Sequence, residues 1–246
     1  MNRILFESAE ICEGIATIGD DRARHIIEVL HGEPGQILKT GEVNGKIGIS
    51  EIVAIENGCV RARVDHREES IRPWVDIILA PPRPRVLKRL LPQLAAMGAG
   101  KIVLVGARKV EKDFWGATLL REETYRSLLI EGLMQAGTSI LPEIVIRRGL
   151  RNFLQDEFEG MFHGSRRIIA HPYAAQTGET AAKMGQQASC PDGRLLLAIG
   201  PEGGWTDEEV QSFEDKGFLR YSLGRRILRT DTATIALLAK LNKENR

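Results

Sequence analysis

The sequence predicts an α/β protein in two parts, an N-terminal barrel of short strands followed by a domain built on a parallel sheet. Two observations support this prediction. Residues 1–72 contain short apolar runs separated by turn signals, whereas residues 73–246 alternate buried strands with longer helical patterns. The boundary falls at Arg72-Pro73, because a proline favours extended chain in the residue before it.

The charge balance changes at the same boundary. The 246 residues carry 34 Lys and Arg against 33 Asp and Glu, a net charge of +1. Residues 1–72 hold 9 basic and 13 acidic side chains, a balance of −4, and the remainder holds 25 and 20, a balance of +5. The total excludes a histone-like polycation and an acidic disordered tail, but a local basic surface for nucleic acid stays open.

Several protein classes are not expected. Cys12, Cys59 and Cys190 are far apart and form no C-x-x-C pair, so neither a disulfide framework nor a structural zinc site is predicted. No apolar run approaches the roughly 20 residues of a membrane span, and the first residues lack the apolar core of a signal peptide. The expectation is a cytoplasmic protein with no metal and no membrane partner.

In the N-terminal part, three strands and one helix are predicted. The strands cover residues 36–39, 46–55 and 59–64, with turns at Asn44-Gly45 and Asn57-Gly58. The helix covers residues 23–30, with Asp20 or Asp21 as its N-cap. A small β-barrel is the simplest architecture for this set of elements.

In the C-terminal part, strands alternate with helices. Buried strands are predicted at residues 75–80, 101–105, 167–171 and 195–199, and a short one at 219–222. Helical spacing relates two apolar sets, which are Val86, Leu87, Leu90, Leu91 and Leu94, and Leu119, Leu120, Tyr125, Leu128, Leu129 and Leu133. This alternation is typical of a parallel sheet covered on both faces.

A glycine-rich turn follows the strand at 195–199. It reads Gly200-Pro201-Glu202-Gly203-Gly204, and Thr206 with Glu209 then forms a capping box that opens a helix. Ligands of parallel sheets bind at such strand ends, although a tight turn with nothing bound fits the pattern equally well. The patterns of P-loops, classical dinucleotide sites and nucleophile elbows are absent from the sequence.

Two further segments could recognise an anion. Residues 223–233 place three arginines beside Thr230-Asp231-Thr232 at the start of an apolar helix. Between Asp76 and Glu111 there are seven basic residues and no acidic one, a pattern that attracts phosphates. Solvated surface charges are the alternative interpretation of both segments.

Together, these segments resemble one family, the 16S rRNA uridine-N3 methyltransferases (RsmE) of the SPOUT superfamily. Residues 199–204 match its I-G-P-E-G-G motif, and residues 223–233 match its L-G-x-R-I-L-R-T-E-T-A motif with Asp231 in place of Glu. Gln135-x-Gly137 with Pro142-Glu143-Ile144 resembles its E-Q-x-G-R…P-E-I pattern. The resemblance extends over essentially the whole chain.

The resemblance implies a fold and a function. Residues 1–72 would form a PUA-like, RNA-binding β-barrel, and residues 73–246 a SPOUT domain with a trefoil knot that binds S-adenosylmethionine. The protein would be a homodimer that methylates N3 of a uridine in the decoding region of 16S rRNA, within assembled small ribosomal subunits. The alternatives are a SPOUT methyltransferase for another RNA, a catalytically degenerate RNA-binding homologue, and a small-molecule α/β enzyme.

The resemblance and the charge pattern together name the candidate site residues. Arg229 would stabilise the developing N3 anion, and Glu202 and Asp231 are candidate proton acceptors. The predicted cofactor-binding residues are His171, Pro172, Ile199, Gly200, Gly203, Leu223, Gly224, Ile227, Leu228 and Thr230. The predicted RNA-binding residues are Arg83, Arg85, Lys88, Arg89, Arg225 and Arg226.

Four positions depart from the family pattern. Gln93 and Ala96 replace a lysine and a glutamate, and Met134 and Thr138 replace a glutamate and an arginine. Because the cofactor motifs are intact, the hypothesis is that these four positions serve packing or substrate contact rather than cofactor binding. Pro92 is expected to interrupt or begin the first helix of the domain.

Overall fold

The computed structural model describes residues 2–172 and 194–242. The chain divides into two compact units. One consists of Met1–Arg72 with Ser127–Leu141, and the other of Pro73–Arg126 with Pro142–Arg246. The first unit therefore takes a short segment from the middle of the chain in addition to its N-terminal residues.

The first unit is a half-barrel formed by one six-stranded sheet. Its strands are β1 (Ile4–Phe6), β2 (Ile11–Cys12), β3 (Ile15–Ile18), β4 (Ile37–Glu42), β5 (Ile47–Glu56) and β6 (Cys59–Glu68). Their order is β1-β4-β5-β6-β3-β2, with β1 parallel to β4 and all other pairs antiparallel. The sequence predicts β4, β5 and β6, whereas β1 to β3 are too short to show a periodicity.

Local chemistry explains the turns of the half-barrel. Asn57 and Gly58 both have positive φ, of 50° and 77°, and join β5 to β6 in the two-residue hairpin that this dipeptide favours. Asp20 is the N-cap of the helix Asp21–Arg24, which continues as a π-helical turn at His25–Val29. The core lies between sheet and helix and contains Ile4, Phe6, Ala16, Ile18, Ala23, Ile26, Leu38, Ile52 and Val60.

The segment Ser127–Leu141 is joined to the half-barrel by backbone hydrogen bonds. The backbone N–H groups of Asn2 and Arg3 donate to the Met134 carbonyl at 3.2 and 3.1 Å. The Asn44 N–H donates to the Ser139 carbonyl, and the buried Ser139 N–H donates to the Ser70 hydroxyl at 2.9 Å. These contacts pair residues more than sixty positions apart, and no local pattern predicts them.

The second unit is built on a six-stranded parallel sheet. Its strands are β7 (Val75–Leu79), β8 (Ala99–Val105), β9 (Glu143–Arg147), β10 (Arg166–Ala170), β11 (Leu195–Ile199) and β12 (Leu219–Tyr221). Their order is β12-β10-β11-β7-β8-β9. The predicted parallel sheet is confirmed, and only β9 is an addition. Every residue of β7 and β11 is buried, which agrees with central strands covered on both faces.

The helices of this unit correct two predictions. They are Pro84–Ala96, Leu150–Asn152 with a π-helical turn at Phe153–Glu157, Phe158–Met161, Asp207–Asp215 and Thr230–Asn242. The helix Glu122–Ala136 begins in this unit and ends in the segment Ser127–Leu141 of the first unit. The first helix begins at Pro84 and continues through Pro92, so the expectation that Pro92 interrupts or begins it is wrong. Buried Leu87, Leu90, Leu91 and Leu94 anchor the helix on both sides of this proline. Leu119 and Leu120 lie in a 3₁₀ turn, Thr118–Leu120, before the helix Glu122–Ala136 begins.

None of the helices in the described ranges is long and apolar enough to cross a lipid bilayer.

A buried aspartate in the second sheet bonds to a neighbouring strand and to the residue before a third strand. Asp76 lies in β7, and its Oδ1 atom accepts a hydrogen bond from the Lys101 N–H of β8 at 2.7 Å. The same oxygen lies 2.8 Å from Nε of Arg194, the residue before β11. Burial is the main cause that raises the pKa of Asp76, and the Arg194 guanidinium opposes it. The carboxylate is therefore stable at this position only because its hydrogen bonds are made.

The first prediction concerns this aspartate. Asp76→Ala leaves the Lys101 N–H and the Arg194 guanidinium without their acceptor, so we expect the free energy of unfolding to fall by about 1–3 kcal/mol. Urea denaturation followed by circular dichroism measures the change.

Glu143→Ala is the matched control, because the exposed Glu143 carboxylate pairs with Nζ of Lys101 at 3.1 Å. Its removal is expected to change the free energy of unfolding by less than about 0.5 kcal/mol. Equal losses for the two variants would contradict the role assigned to Asp76.

Candidate functional site

The loops that follow three neighbouring strands enclose a pocket in the second unit. β12, β10 and β11 lie side by side and parallel, so their carboxyl ends meet at one edge of the sheet. The residues after these strands and the start of the helix Thr230–Asn242 line a cavity of about 470 Å³. This volume lies within the usual range of small-molecule sites.

Hydrogen bonds between the loops hold the pocket wall in place. The His171 N–H donates to the Tyr221 carbonyl at 3.0 Å, and the Ser222 hydroxyl donates to the Pro172 carbonyl at 3.1 Å. The Thr230 hydroxyl donates to the Gly200 carbonyl at 3.3 Å, and Thr230 is buried. Each bond joins residues that are at least thirty positions apart, so the pocket wall is fixed by contacts between distant segments of the chain.

Two glycines give the loops their shape. Gly204 has φ of 69° in the turn after β11, and its N–H donates to the Pro201 carbonyl at 2.8 Å. Gly224 has φ of 126°, a conformation that side-chain-bearing residues rarely adopt. The loop after Gly204 leads into Thr206, whose capping box with Glu209 is present as the sequence predicts.

The structure brings all ten predicted cofactor-binding residues to this one pocket. The list of lining residues includes His171, Pro172, Ile199, Gly200, Gly203, Leu223, Gly224, Ile227, Leu228 and Thr230. They come from three loops and one helix, which only the parallel strand order makes adjacent. Ile227 is 76% exposed and therefore lies at the rim.

The three candidate catalytic residues lie at different distances from the cavity. Glu202 lines the pocket, and one of its Oε atoms lies 3.6 Å from Nε of Arg83. Asp231 lies in the first turn of the helix Thr230–Asn242, outside the lining, and pairs with Arg89 at 3.5 Å. Arg229 is exposed beside the rim, and within the described part of the chain its guanidinium has no carboxylate partner.

The predicted RNA-binding residues form two groups, both exposed. Arg83, Arg85, Lys88 and Arg89 lie at the start and on one face of the helix Pro84–Ala96. Arg225 and Arg226 lie in the loop after β12, and Arg226 also lines the pocket. Arg83 and Arg89 form ion pairs with the two candidate carboxylates, whereas Arg85 and Lys88 form none with the described residues.

His171 is a neutral group of the pocket wall. Burial is the main cause that lowers its pKa below the ordinary value, and the nearby Arg220 guanidinium lowers it further. Asp207 and Glu214 act in the opposite direction. An imidazole with a lowered pKa is uncharged at pH 7, so it offers a hydrogen bond rather than a charge.

Sequence reasoning missed several residues of the pocket. Trp205, Ser222 and Lys109 line the cavity, and Nζ of Lys109 donates to the Gly203 carbonyl at 2.8 Å. Trp205 directly follows Gly204 and Ser222 directly precedes Leu223, so each motif includes its pocket residue when it is extended by one position. Lys109 comes from the loop after β8, and only the tertiary structure brings it to Gly203.

A second, smaller cavity of about 170 Å³ adjoins the first. It shares Lys109, Pro201, Glu202 and Gly203 with the main pocket. Its remaining lining residues are Pro81, Pro82, Arg83, Pro84, Val110, Glu111 and Phe114. The side chain of Arg83 pairs here with both Glu111 and Glu202.

The four departures from the family pattern lie away from both cavities. Gln93 and Ala96 are exposed near the end of the helix Pro84–Ala96. Met134 is buried in the first unit, and Thr138 is half-buried in the segment that follows. None of them is among the residues that line either cavity.

The described site offers backbone groups, hydroxyls, apolar walls and arginines rather than a metal centre. No group of three or more His, Cys, Asp or Glu residues within residues 2–172 and 194–242 could hold a metal ion. A pocket of this kind binds a small molecule by shape and hydrogen bonds, and its arginine rim can hold a polyanion beside it.

Comparison with known sequences gives consistent matches. Residues 68–242 match the family model of the RNA methyltransferase domain. A protein of Treponema pallidum named ribosomal RNA small subunit methyltransferase E is 32% identical over 244 residues, covering 97% of this chain and 90% of the relative. A Borreliella burgdorferi protein named ribosomal RNA small subunit methyltransferase E 1 is 26% identical, covering 96% and 95%.

Solved structures share the fold. A ribosomal RNA small subunit methyltransferase E of Neisseria gonorrhoeae, solved with S-adenosylmethionine, superposes with a TM-score of 0.77 at 23% identity and covers 99% of this chain and 98% of that one. A Legionella pneumophila protein solved with the same cofactor gives 0.76 at 23% identity, covering 99% and 97%. The predicted α/β fold class, with an N-terminal barrel-like sheet and a C-terminal domain on a parallel sheet, is confirmed. By sequence and fold, the chain belongs to the ribosomal RNA small subunit methyltransferase E family.

Proposed function

We propose that this protein transfers a methyl group from S-adenosylmethionine to N3 of a uridine in the decoding region of 16S rRNA, in the assembled small subunit. The observation that carries the proposal is the convergence of both family motifs on one pocket. All ten residues predicted to bind the cofactor line it, although they are distributed over sixty positions of the chain.

The pocket fits S-adenosylmethionine in size and chemistry. Its volume of about 470 Å³ suits a ligand of this size, and Ile199, Leu223 and Leu228 supply apolar walls for an adenine ring. A Cβ atom on Gly200 would lie 3.2 Å from the Trp205 backbone and indole. Glycine therefore allows the chain at position 200 to lie this close to Trp205 in the pocket wall. When bound, the cofactor supplies an electrophilic methyl group on a sulfonium centre.

The residues of this chain would position the reactants. Backbone groups of Ile199, Gly200, Leu223 and Leu228 would hold the adenine and ribose, which fixes the direction of methyl transfer. The uridine N3–H must lose its proton, and the Arg229 guanidinium would stabilise the negative charge that develops there. Its exposed position beside the rim leaves it available to an incoming base.

Of the two candidate proton acceptors, Glu202 is better placed. It lines both cavities, whereas Asp231 lies outside the lining of either one. Glu202 already contacts Arg83, the N-cap of the basic helix, which is our name for the helix Pro84–Ala96 with its exposed Arg85, Lys88 and Arg89. We therefore assign to Glu202 the role of accepting the N3 proton. Asp231 instead stabilises the first turn of its helix, where an acidic residue is electrostatically favourable.

The division of the chain into an RNA-binding barrel at 1–72 and a methyltransferase domain at 73–246 remains part of the proposal. The proposal also includes a homodimeric assembly and a location in the cytoplasm, where the proposed substrate is found. The exposed basic residues at the start of the helix Pro84–Ala96 and in the loop after β12 would contact the rRNA backbone.

Mass spectrometry of nucleosides tests the function directly. Digested 16S rRNA from a strain lacking the protein should lose N3-methyluridine, and a plasmid copy should restore it. Persistence of this nucleoside without the protein, or loss of a different modified nucleoside, would overturn the assignment. Failure of S-adenosylmethionine to bind in calorimetry would instead favour a catalytically degenerate RNA-binding homologue.

A prediction follows for the anion-stabilising arginine. With purified small subunits and radiolabelled cofactor, Arg229→Ala should lower kcat about 100- to 1000-fold, because a preorganised positive charge at the reacting atom is lost. The Kd for the cofactor should change less than about threefold.

Arg225→Ala is the control, since Arg225 is exposed in the same loop and does not line the pocket. It should raise KM for the subunits and leave kcat unchanged. If both variants changed only KM, Arg229 would be an RNA contact and not a catalytic residue.

Another prediction concerns Gly224, the glycine of the pocket whose φ is positive. A Cβ atom on Gly224 meets no other atom within 4 Å, so Gly224→Ala acts only through the backbone φ of 126°. Relaxation of the loop should raise the Kd for S-adenosylmethionine about tenfold, measured by calorimetry. Gly217→Ala, also at positive φ but outside the pocket, should lower stability and leave this Kd unaltered. Equal affinities of both variants would contradict the role of the loop.

The basic helix gives a prediction about salt. Replacing Arg85 and Lys88 together by alanine should lower the slope of log K against log salt for rRNA binding by about 2, because two phosphate contacts are lost. Filter binding at several salt concentrations measures the slope. Arg151→Ala removes an exposed arginine of the same unit that lies outside the basic helix, and it should leave the slope unchanged.

A further inference from the structure

One polar atom of the pocket wall has no hydrogen-bond partner. Trp205 is only 7% exposed, and its Nε1–H contacts no acceptor among the described residues. An indole N–H is a donor only, and burying it without an acceptor costs free energy. By contrast, Nε1 of Trp74 donates to the Met97 carbonyl at 2.7 Å.

The Trp205 indole is fixed in its orientation. Its ring packs edge-on against Phe213, with centroids 4.9 Å apart and planes at 61°, inside the hydrophobic core of the second unit. Directly after it, Thr206 caps the next helix. The unpaired N–H therefore cannot turn to water without disrupting this packing.

The N–H edge of the ring lies beside Gly200, the residue that follows β11. A Cβ atom built on Gly200 would lie 3.2 Å from both Cδ1 and Nε1 of Trp205. Both residues line the main cavity. The absence of a side chain on Gly200 thus lets this edge of the ring lie close to the backbone at the cavity wall, which both residues line.

We propose that the Trp205 Nε1–H donates a hydrogen bond to the bound S-adenosylmethionine, and so acts as a cofactor-binding residue. This inference rests on the proposed function. The acceptor is an oxygen or an unprotonated ring nitrogen of the cofactor, because an indole N–H can only donate a hydrogen bond. Binding then supplies an acceptor for an N–H group that no described residue pairs, which adds to affinity.

The test uses S-adenosylhomocysteine, which lacks the reactive methyl group, and the full-length protein. Trp205→Phe retains an aromatic ring but removes the donor, and it should raise the Kd in calorimetry about five- to tenfold. Trp74→Phe removes an indole donor that is already satisfied outside the cavity lining, and its Kd should stay within about twofold of the unaltered protein.

A second measurement does not depend on a variant that folds. In protein labelled with ¹⁵N at the tryptophan indoles, the Trp205 resonance should move downfield when S-adenosylhomocysteine is added. Trp74→Phe and Trp115→Phe assign the indole resonances of the other two tryptophans, and the remaining resonance is that of Trp205.

Two results would overturn the proposal. An unmoved Trp205 resonance, together with an unchanged Kd for Trp205→Phe, would overturn this inference alone while cofactor binding stands. No binding of S-adenosylhomocysteine to the unaltered protein would overturn both the inference and the proposed function.

Discussion

The parallel pairing of β11 with β10 on one side and β7 on the other is the constraint on which the site depends. Leu195–Ile199 is buried at every position, and its register with both neighbours is set by backbone hydrogen bonds along its whole length. Because all three strands run in the same direction, the loops after β10 and β11 emerge at one edge of the sheet. β12, parallel to β10, adds the third loop to the same edge.

The loops around the pocket are joined mainly by hydrogen bonds between neutral groups, to which Lys109 adds a charged donor at the Gly203 carbonyl. Ser222 and Thr230 donate to backbone carbonyls of neighbouring loops, and His171 is kept neutral by burial. The arginines stay exposed, where they keep their hydration and avoid the free-energy cost of burying a charge. This arrangement gives a cavity that suits a small molecule and a basic surface that suits a polyanion in the same unit. The modest net charge of the chain conceals this separation.

The departures from the family pattern have a structural explanation in part. Met134 is buried in the first unit, and its carbonyl accepts hydrogen bonds from Asn2 and Arg3, so an apolar side chain suits its position. Gln93 and Ala96 are exposed on the helix Pro84–Ala96, where a lost charge leaves no buried partner behind. Nothing in the structure explains the threonine at position 138. The positions of all four agree with the hypothesis that they do not bind the cofactor.

The sequence by itself determined the elements whose chemistry is local. These include the buried β11, the Asn57-Gly58 hairpin, the Asp20 cap and the capping box of Thr206. It also determined which short motifs form the site, because the motifs at 199–204 and 223–233 each begin where a predicted strand ends. Periodicity and capping act within a few residues, so they can be read without knowing the fold.

Only the tertiary structure decided what depends on distant partners. The short strands β1 to β3, the inclusion of Ser127–Leu141 in the first unit, and the ion pairs of Arg83 and Arg89 all require contacts between remote segments. The unpaired Trp205 N–H belongs to the same class, because burial and missing acceptors are properties of a packed surrounding. Such contacts are selected by the energy of the whole fold, and no window of sequence contains both partners.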